Sequence, residues 1–306
     1  MGSEEGLSKA YNFLEQGDIL QARKILTELL PYELEDSEVN FAVWCCSFWA
    51  AYIRILPKLE VAERGESLIA QWRNFIPNLK RQKPVERTLF ALQKGIFSLA
   101  LNSFTALMDD KFPQQQAELK CKIALCYKKL GHYETALETL KDKSIFAERS
   151  AATLAEMADC YALCGDEKRA KVLFREAFFL DAQNVDITLL DSELICCLIR
   201  LVQKKGYTEA ELKEWIPVYG VLYGIFNVKR ELHGAEFGIL RQRIYARENE
   251  LRDPACNATL IVPRLINMYF WLIDYYVRIE NGSEKINEIL LRIKLLDRNI
   301  YDLCVK

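Results

Sequence analysis

Two stretches of this chain match at a fixed offset of 34 residues: Ala124, Cys126, Tyr127, Gly131 and Ala136 recur as Ala158, Cys160, Tyr161, Gly165 and Ala170. Leu140 recurs as the similar Phe174. A period of this size marks a helical repeat array, because one helix pair with a single apolar face cannot bury that face alone and must stack on a neighbour. The positions have physical reasons. Ala124 and Ala158 are small where two helices cross, and Tyr127 and Tyr161 follow three residues on, on the same face. Gly131 and Gly165 fall where the first helix must stop, and glycine accepts the left-handed conformation of a helix end. Ala136 and Ala170 then place small residues in the second helix, with Leu140 and Phe174 four residues later on the same face.

This pattern resembles the tetratricopeptide repeat. Residues 151–184 match best, with Asp166 after the glycine, Ala177 after Phe174, and Ala182 standing where a closing proline is usual. Residues 117–150 match with Lys143 where a small residue is expected. Weaker units carry Thr88, Gly95, Ala100, Phe104 and Leu107, and Ala10, Phe13, Gly17, Asp18, Ala22, Leu26 and Leu29. A longer, divergent pair at about 38–56 and 61–75 lies between them. The resemblance is strong over residues 117–184, weak over 5–116 and absent after residue 186. It implies an all-α fold, a right-handed superhelical array over 1–185 followed by a divergent helical region over 186–306.

In such arrays the first helix of each unit lines a concave groove. The corresponding positions are Val85, Leu89 and Leu92; Glu118, Cys121, Leu125 and Lys128; and Ala152, Ala155, Asp159 and Ala162. Members that grip a terminal carboxylate do so with Lys and Asn at positions that hold Cys121, Leu125 and Glu156 here, so that mode is not implied. The groove is largely apolar, which suits an amphipathic helix, an extended apolar peptide, or the chain's own C-terminal helices. The expected function is a non-enzymatic scaffold or adaptor for a partner protein. The alternatives are a subunit of an obligate complex and a regulator that senses a peptide or small ligand.

Breaks are expected at Gly17-Asp18, Pro31–Asp36, Pro57, Pro77–Pro84, Asp109–Pro113, Gly131, Lys141–Ser144 and Gly165, giving about five helix pairs up to residue 185. Beyond it, helices are expected at about 187–204, 208–230, 235–251, 260–280 and 283–303. Thr208 and Glu211 have capping-box spacing, Pro217 is expected to break or kink its helix, and Ser283 to cap the last one. The spacings Gly220/Gly224 and Gly234/Gly238 suit close helix packing. Tyr269, Phe270, Trp271, Tyr275, Tyr276 and Tyr301 make the end of the chain aromatic, as a core helix or a docking surface would be.

Chemistry is sparse. There is no phosphate-binding glycine loop and no nucleophile elbow, and the two histidines, His132 and His233, lack a neighbouring nucleophile. The acid pair Asp109-Asp110 reads as loop. Ten cysteines without any Cys-x-x-Cys read as small buried hydrophobes in a reducing, cytoplasmic setting, with no zinc site and no cofactor expected. A net charge of −2 argues against nucleic acid as a partner. The basic clusters at residues 80–83 and Lys204-Lys205 read as solvated helix ends or loops, and the sequons at Asn257 and Asn281 carry little weight. The start of the chain shows no secretory signal, and Met1-Gly2 lacks a myristoylation context. The apolar runs Val39–Ile53 and Leu265–Ile273 fall short of the roughly 20 residues that cross a bilayer and read as buried helices.

Overall fold

The computed structural model describes residues 3–32, 36–79, 81–108, 113–142, 145, 150–228, 232–278 and 282–305. Met1, Gly2, Lys80, Asp109-Asp110, Lys143, Ser144 and Asn281 lie outside the described residues. Among those described, all regular structure is helical: fifteen α-helices joined by turns and short 3-10 segments. The chain forms two compact units, residues 1–148 and 149–306, with one of the two best-matched repeats in each.

The first unit holds α1 (Ser3–Glu15), α2 (Ile19–Leu29), α3 (Ser37–Ile55), α4 (Val61–Leu79), α5 (Glu86–Thr105), α6 (Pro113–Lys129) and α7 (Tyr133–Leu140). The second holds α8 (Ala151–Leu163), α9 (Glu167–Asp181), α10 (Glu193–Gln203), α11 (Glu209–Leu222), α12 (Gly234–Glu250), α13 (Ala258–Tyr276), α14 (Ser283–Leu296) and α15 (Arg298–Cys304).

The α1–α2, α6–α7 and α8–α9 hairpins turn in the same way. Gly17, Gly131 and Gly165 take positive φ of 81°, 85° and 85°. Their amides donate to Leu14, Lys128 and Ala162 carbonyls, each at 3.0 Å. The next residues, Asp18, His132 and Asp166, donate to Phe13, Tyr127 and Tyr161 carbonyls at 2.9, 2.9 and 2.8 Å. This pair of bonds satisfies carbonyls that the ending helix leaves open. The same three residues then start the second helix with φ between −87° and −89° and ψ between 64° and 70°. Asp18 and Asp166 add side-chain caps to the Gln21 and Arg169 amides. Ala10 and Ala22, like the pairs Ala124/Ala136 and Ala158/Ala170, are fully buried.

Residues 86–107 depart from the helix pair expected of their spacing. Gly95 ends no helix; it sits inside the continuous helix α5, which packs on α1, α4 and α6. A Cβ at Gly95 would stand 1.9 Å from the Leu14 carbonyl oxygen, so glycine is required by the approach of α1, not by a turn. On the same helix, buried Thr88 meets the Tyr11 hydroxyl at 2.9 Å, and that hydroxyl donates to Glu38 at 2.6 Å. The expected five helix pairs are therefore four pairs with α5 between them.

Helix α3 belongs to the stretch Ser37–Lys58, the one described helical stretch long and apolar enough to cross a membrane by composition. Here its rings form a core: Trp44, Phe48 and Trp49 pack on Phe75 of α4, and Trp49 also on Trp72. Core helices of this kind pass the same compositional test.

In the second unit α13 is central, packed by α9, α11, α12 and α14. Tyr269, Phe270 and Trp271 are buried and point to different sides of it, so these rings are core and not an exposed docking surface. Several expected boundaries shift. Residues 187–192 are not helical, because Asp186 holds the Thr188 amide and hydroxyl, and α10 starts only at Glu193. Pro217 lies inside α11 without ending it; its neighbours Trp215, Ile216, Val218 and Tyr219 are all buried, and tertiary packing offsets the missing hydrogen bond. Pro77 likewise sits inside α4. The helix expected over 208–230 stops at Leu222, where Gly224 turns with φ +70° and the Phe226 amide returns to the Gly220 carbonyl. The last expected helix divides at Asp297, whose extended backbone ends α14 and whose carboxylate caps the Asn299 and Ile300 amides of α15. Gly282, not Ser283, occupies the cap position of α14. Gly220 does meet a close neighbour, the Phe226 ring, but Gly234 and Gly238 have none, so that pair serves no close packing.

Candidate functional site

The positions assigned to a concave groove are mostly interior. Leu92, Leu125, Lys128, Ala155 and Asp159 are buried, whereas Val85, Leu89 and Cys121 are half-buried. Ala155 and Asp159 belong to the second unit, the others to the first. Asp159 serves the fold itself, because its two carboxylate oxygens accept from the Asp191 and Ser192 amides, each at 2.8 Å, just ahead of α10. Val85 caps α5, and Leu89 lies one turn further along that helix.

A cleft that the sequence pattern does not anticipate lies within the second unit, between α9 and α12. One part is a mainly apolar hollow of about 270 Å³ lined by Leu154, Phe179, Leu180, Leu232, Ile239 and Leu240, of which Leu180 and Ile239 are exposed. Glu176, Glu236 and Arg243 also line it. The adjoining part, about 510 Å³, is floored by Asn267 and Met268 of α13 and carries Arg243, Arg247, Arg264 and Asp181. Phe179, Leu180 and Arg243 line both parts and make them one cleft. Helix α12 presents residues 236, 239, 240, 243, 246 and 247 to it, the spacing of one helical face.

The wall on the α9 side is braced from behind. The Phe179 ring lies 4.5 Å from Trp271, and the guanidinium of Arg175 covers Trp271 at 4.9 Å while pairing with Asp274. Most charges around the polar part are spoken for. Arg264 bonds the buried carboxylate of Glu214, a hydrogen bond that holds its guanidinium above the ordinary arginine pKa against the opposing effect of burial. Arg247 pairs with Glu250, and Asp181 accepts from the Gln183 amide. Arg243 is exposed on the cleft wall and makes no ion pair among the described residues.

Asn267 is the unusual group. The residue is 3% exposed and lines the polar part of the cleft, and its Oδ1 has no hydrogen-bond partner among the described residues. Leaving such an oxygen unsatisfied costs about 1–3 kcal/mol. A rotation of the amide exchanges its donor and acceptor ends, so the group can meet either kind of partner.

Elsewhere the chemistry is quiet. Among the described residues no group of His, Cys, Asp and Glu could hold a metal ion. His132 and His233 are exposed at the starts of α7 and α12. None of the ten cysteines is in a disulfide; burial pushes the Cys45 and Cys126 thiols far up, Cys46 to about 12 and Cys304 to about 11. Lys204 and Lys205 are an exposed helix end, with the Lys205 ammonium over the Tyr219 ring. At the level of sequence, no protein-family model and no curated protein matches the chain.

Signals for the cleft were present in part. The spacing along α12 is legible, but α12 carries Ile239 and Tyr245 exposed and few buried residues, so its apolar face is not clean. Which helix faces it, and that Asn267 lies beneath, follow only from packing.

Proposed function

We propose that this chain is a non-enzymatic interaction protein of the tetratricopeptide type, a cytoplasmic scaffold or adaptor whose helix pairs form a superhelical array and hold a segment of a partner protein by shape and apolar complementarity. The carrying observation is the threefold recurrence of one turn, at Gly17, Gly131 and Gly165, with matching dihedrals and hydrogen bonds and with buried alanines at the crossing positions. Hairpins of this kind gain stability by stacking, and the extended surfaces they build commonly serve recognition. The accessible part of the expected binding face is Val85, Leu89 and Cys121, with exposed Phe90 beside them on α5.

A peptide library panned against the full chain tests this reading. Enriched apolar peptides that lose binding to the Val85→Asp/Phe90→Asp variant, whose circular dichroism and melting stay unchanged, are the expected result. Failure to enrich any sequence, or equal binding by the variant, removes the reading.

A second reading, a subunit of a permanent assembly, draws on Leu291 and Leu295. They lie four residues apart on one face of α14 and are 57% and 88% exposed. Light scattering of the purified chain checks it: association that Leu295→Glu abolishes supports the assembly, and a monomer at all concentrations opposes it.

A further inference from the structure

We propose that the cleft between α9, α12 and α13 is a small-molecule site for an uncharged primary amide carrying one apolar arm. This goes beyond recognition of a partner protein and rests on different observations. Ligand sites are typically concave and mainly apolar, with a few polar groups that set orientation, and the two parts of this cleft, about 270 and 510 Å³, have the size for a small molecule. Two features of the lining lack a counterpart among the described residues. Leu180 and Ile239 stay 43% and 51% exposed, and the buried Asn267 Oδ1 has no hydrogen-bond donor. An occupant that meets both has an apolar surface and an N–H or O–H group.

Chemistry narrows the class. A carboxylate has no proton to give Oδ1, because an ionised acid only accepts. An ammonium has protons, but the part of the cleft that Asn267 lines carries Arg243, Arg247 and Arg264 against the one carboxylate of Asp181. The donor is therefore uncharged. A primary amide presents N–H and C=O side by side, so its N–H donates to Oδ1 while its oxygen accepts from the Asn267 Nδ2. A turn of the Asn267 amide offers the same pair in reverse. An alcohol has a single oxygen and meets one end of the amide at a time. A single peptide unit is trans and points its N–H and C=O in opposite directions, so it does not close the pair. The arm lies along Phe179 and Leu180, which line both parts of the cleft, and reaches Leu154 and Leu240 in the apolar hollow. The Phe179 ring is held in place against Trp271.

The test uses the full chain with octanamide, N,N-dimethyloctanamide (the same arm and carbonyl without an N–H), octanoate, and acetamide (the head alone), read by calorimetry and by the shift in melting temperature. Octanamide is expected to bind saturably and raise the melting temperature, with the other three each at least about tenfold weaker. Asn267→Leu removes the unsatisfied oxygen, so it is expected to keep or raise the melting temperature of the free protein. The same variant is expected to bind octanamide about tenfold more weakly and to lose the preference for octanamide over its dimethyl form. If Asn267→Leu does not fold, the ligand series on the unaltered chain still decides, and Ile239→Glu, a charge placed at an exposed position of the hollow, is expected to weaken octanamide about tenfold. Absence of saturable octanamide binding overturns the proposal and leaves the Asn267 oxygen to a trapped water. Equal binding of the dimethyl amide, tighter binding of octanoate, or a preference that survives in Asn267→Leu overturns it as well. So does tighter binding, competitive with octanamide, of a short leucine peptide blocked by acetyl and N-methylamide groups, which makes the cleft a peptide site. None of these outcomes bears on the Val85/Phe90 face, so the two readings fail separately.

Discussion

At the residue scale, glycines that look alike in the sequence do different work. Gly131 needs its positive φ but has open space around its missing Cβ, so Gly131→Ala is expected to cost about 1 kcal/mol, the strain of a left-handed alanine. Gly95 has ordinary helical geometry, but a methyl there would overlap the Leu14 carbonyl, and Gly95→Ala is expected to cost about 3 kcal/mol by forcing α1 away from α5. Urea denaturation of the two variants should rank them in that order; the reverse order would show that α1 and α5 do not pack as described. Asp159 offers a second contrast. Its position in the repeat predicts a groove residue, yet its carboxylate caps two amides in the interior, so Asp159→Ala is expected to destabilise by about 3 kcal/mol, whereas removal of the half-buried cap Asp166 costs about 1 kcal/mol. Cysteine exposure is equally specific. Cys164 and Cys197 are exposed and should react with maleimide in the native protein, whereas Cys45, Cys46 and Cys126 should react only after unfolding, which mass spectrometry of the labelled peptides can decide.

At the element scale, the capping box of α11 makes a pH-dependent contribution. The Glu211 carboxylate accepts from the Thr208 amide at 2.9 Å, and that hydrogen bond holds its pKa below the usual carboxylate range. The stabilisation is therefore fully present above the ordinary glutamate pKa and is lost as pH falls through the depressed value in the folded state. A carboxyl resonance of Glu211 that titrates at the unperturbed position, or no difference between the native protein and Glu211→Gln in acid stability, would contradict the box. The prolines show how elements resist local propensity. Pro217 and Pro77 read as breaks in the sequence because a helix interior loses a hydrogen bond at proline, but burial on several sides carries α11 through Pro217. The opposite happens at Asp297, an ordinary residue in a continuous apolar pattern, where an extended backbone and a side-chain cap split one expected helix into two. Spacing alone also could not tell the turn glycines from Gly95, because a glycine that ends a helix and one that admits a neighbouring helix can share the same offset from later apolar residues.

At the scale of the whole molecule, the second unit has its own hydrophobic core, running from Ala151 to Ile300 through α13. A fragment comprising residues 149–306 is expected to unfold cooperatively and keep helical circular dichroism on its own; a fragment that stays unfolded would show that its core is incomplete. The sequence by itself determined the all-helical class, the positions of the three repeated turns, and the alanines at their crossings. These depend on contacts within a few residues, where periodicity and glycine conformation govern. Only the tertiary structure decided that α5 is one helix, that Asp159 and Leu125 point inward, and that α9, α12 and α13 enclose a cleft over Asn267. Those outcomes depend on which surfaces meet across tens of residues, and a local pattern marks a face as apolar without specifying what covers it.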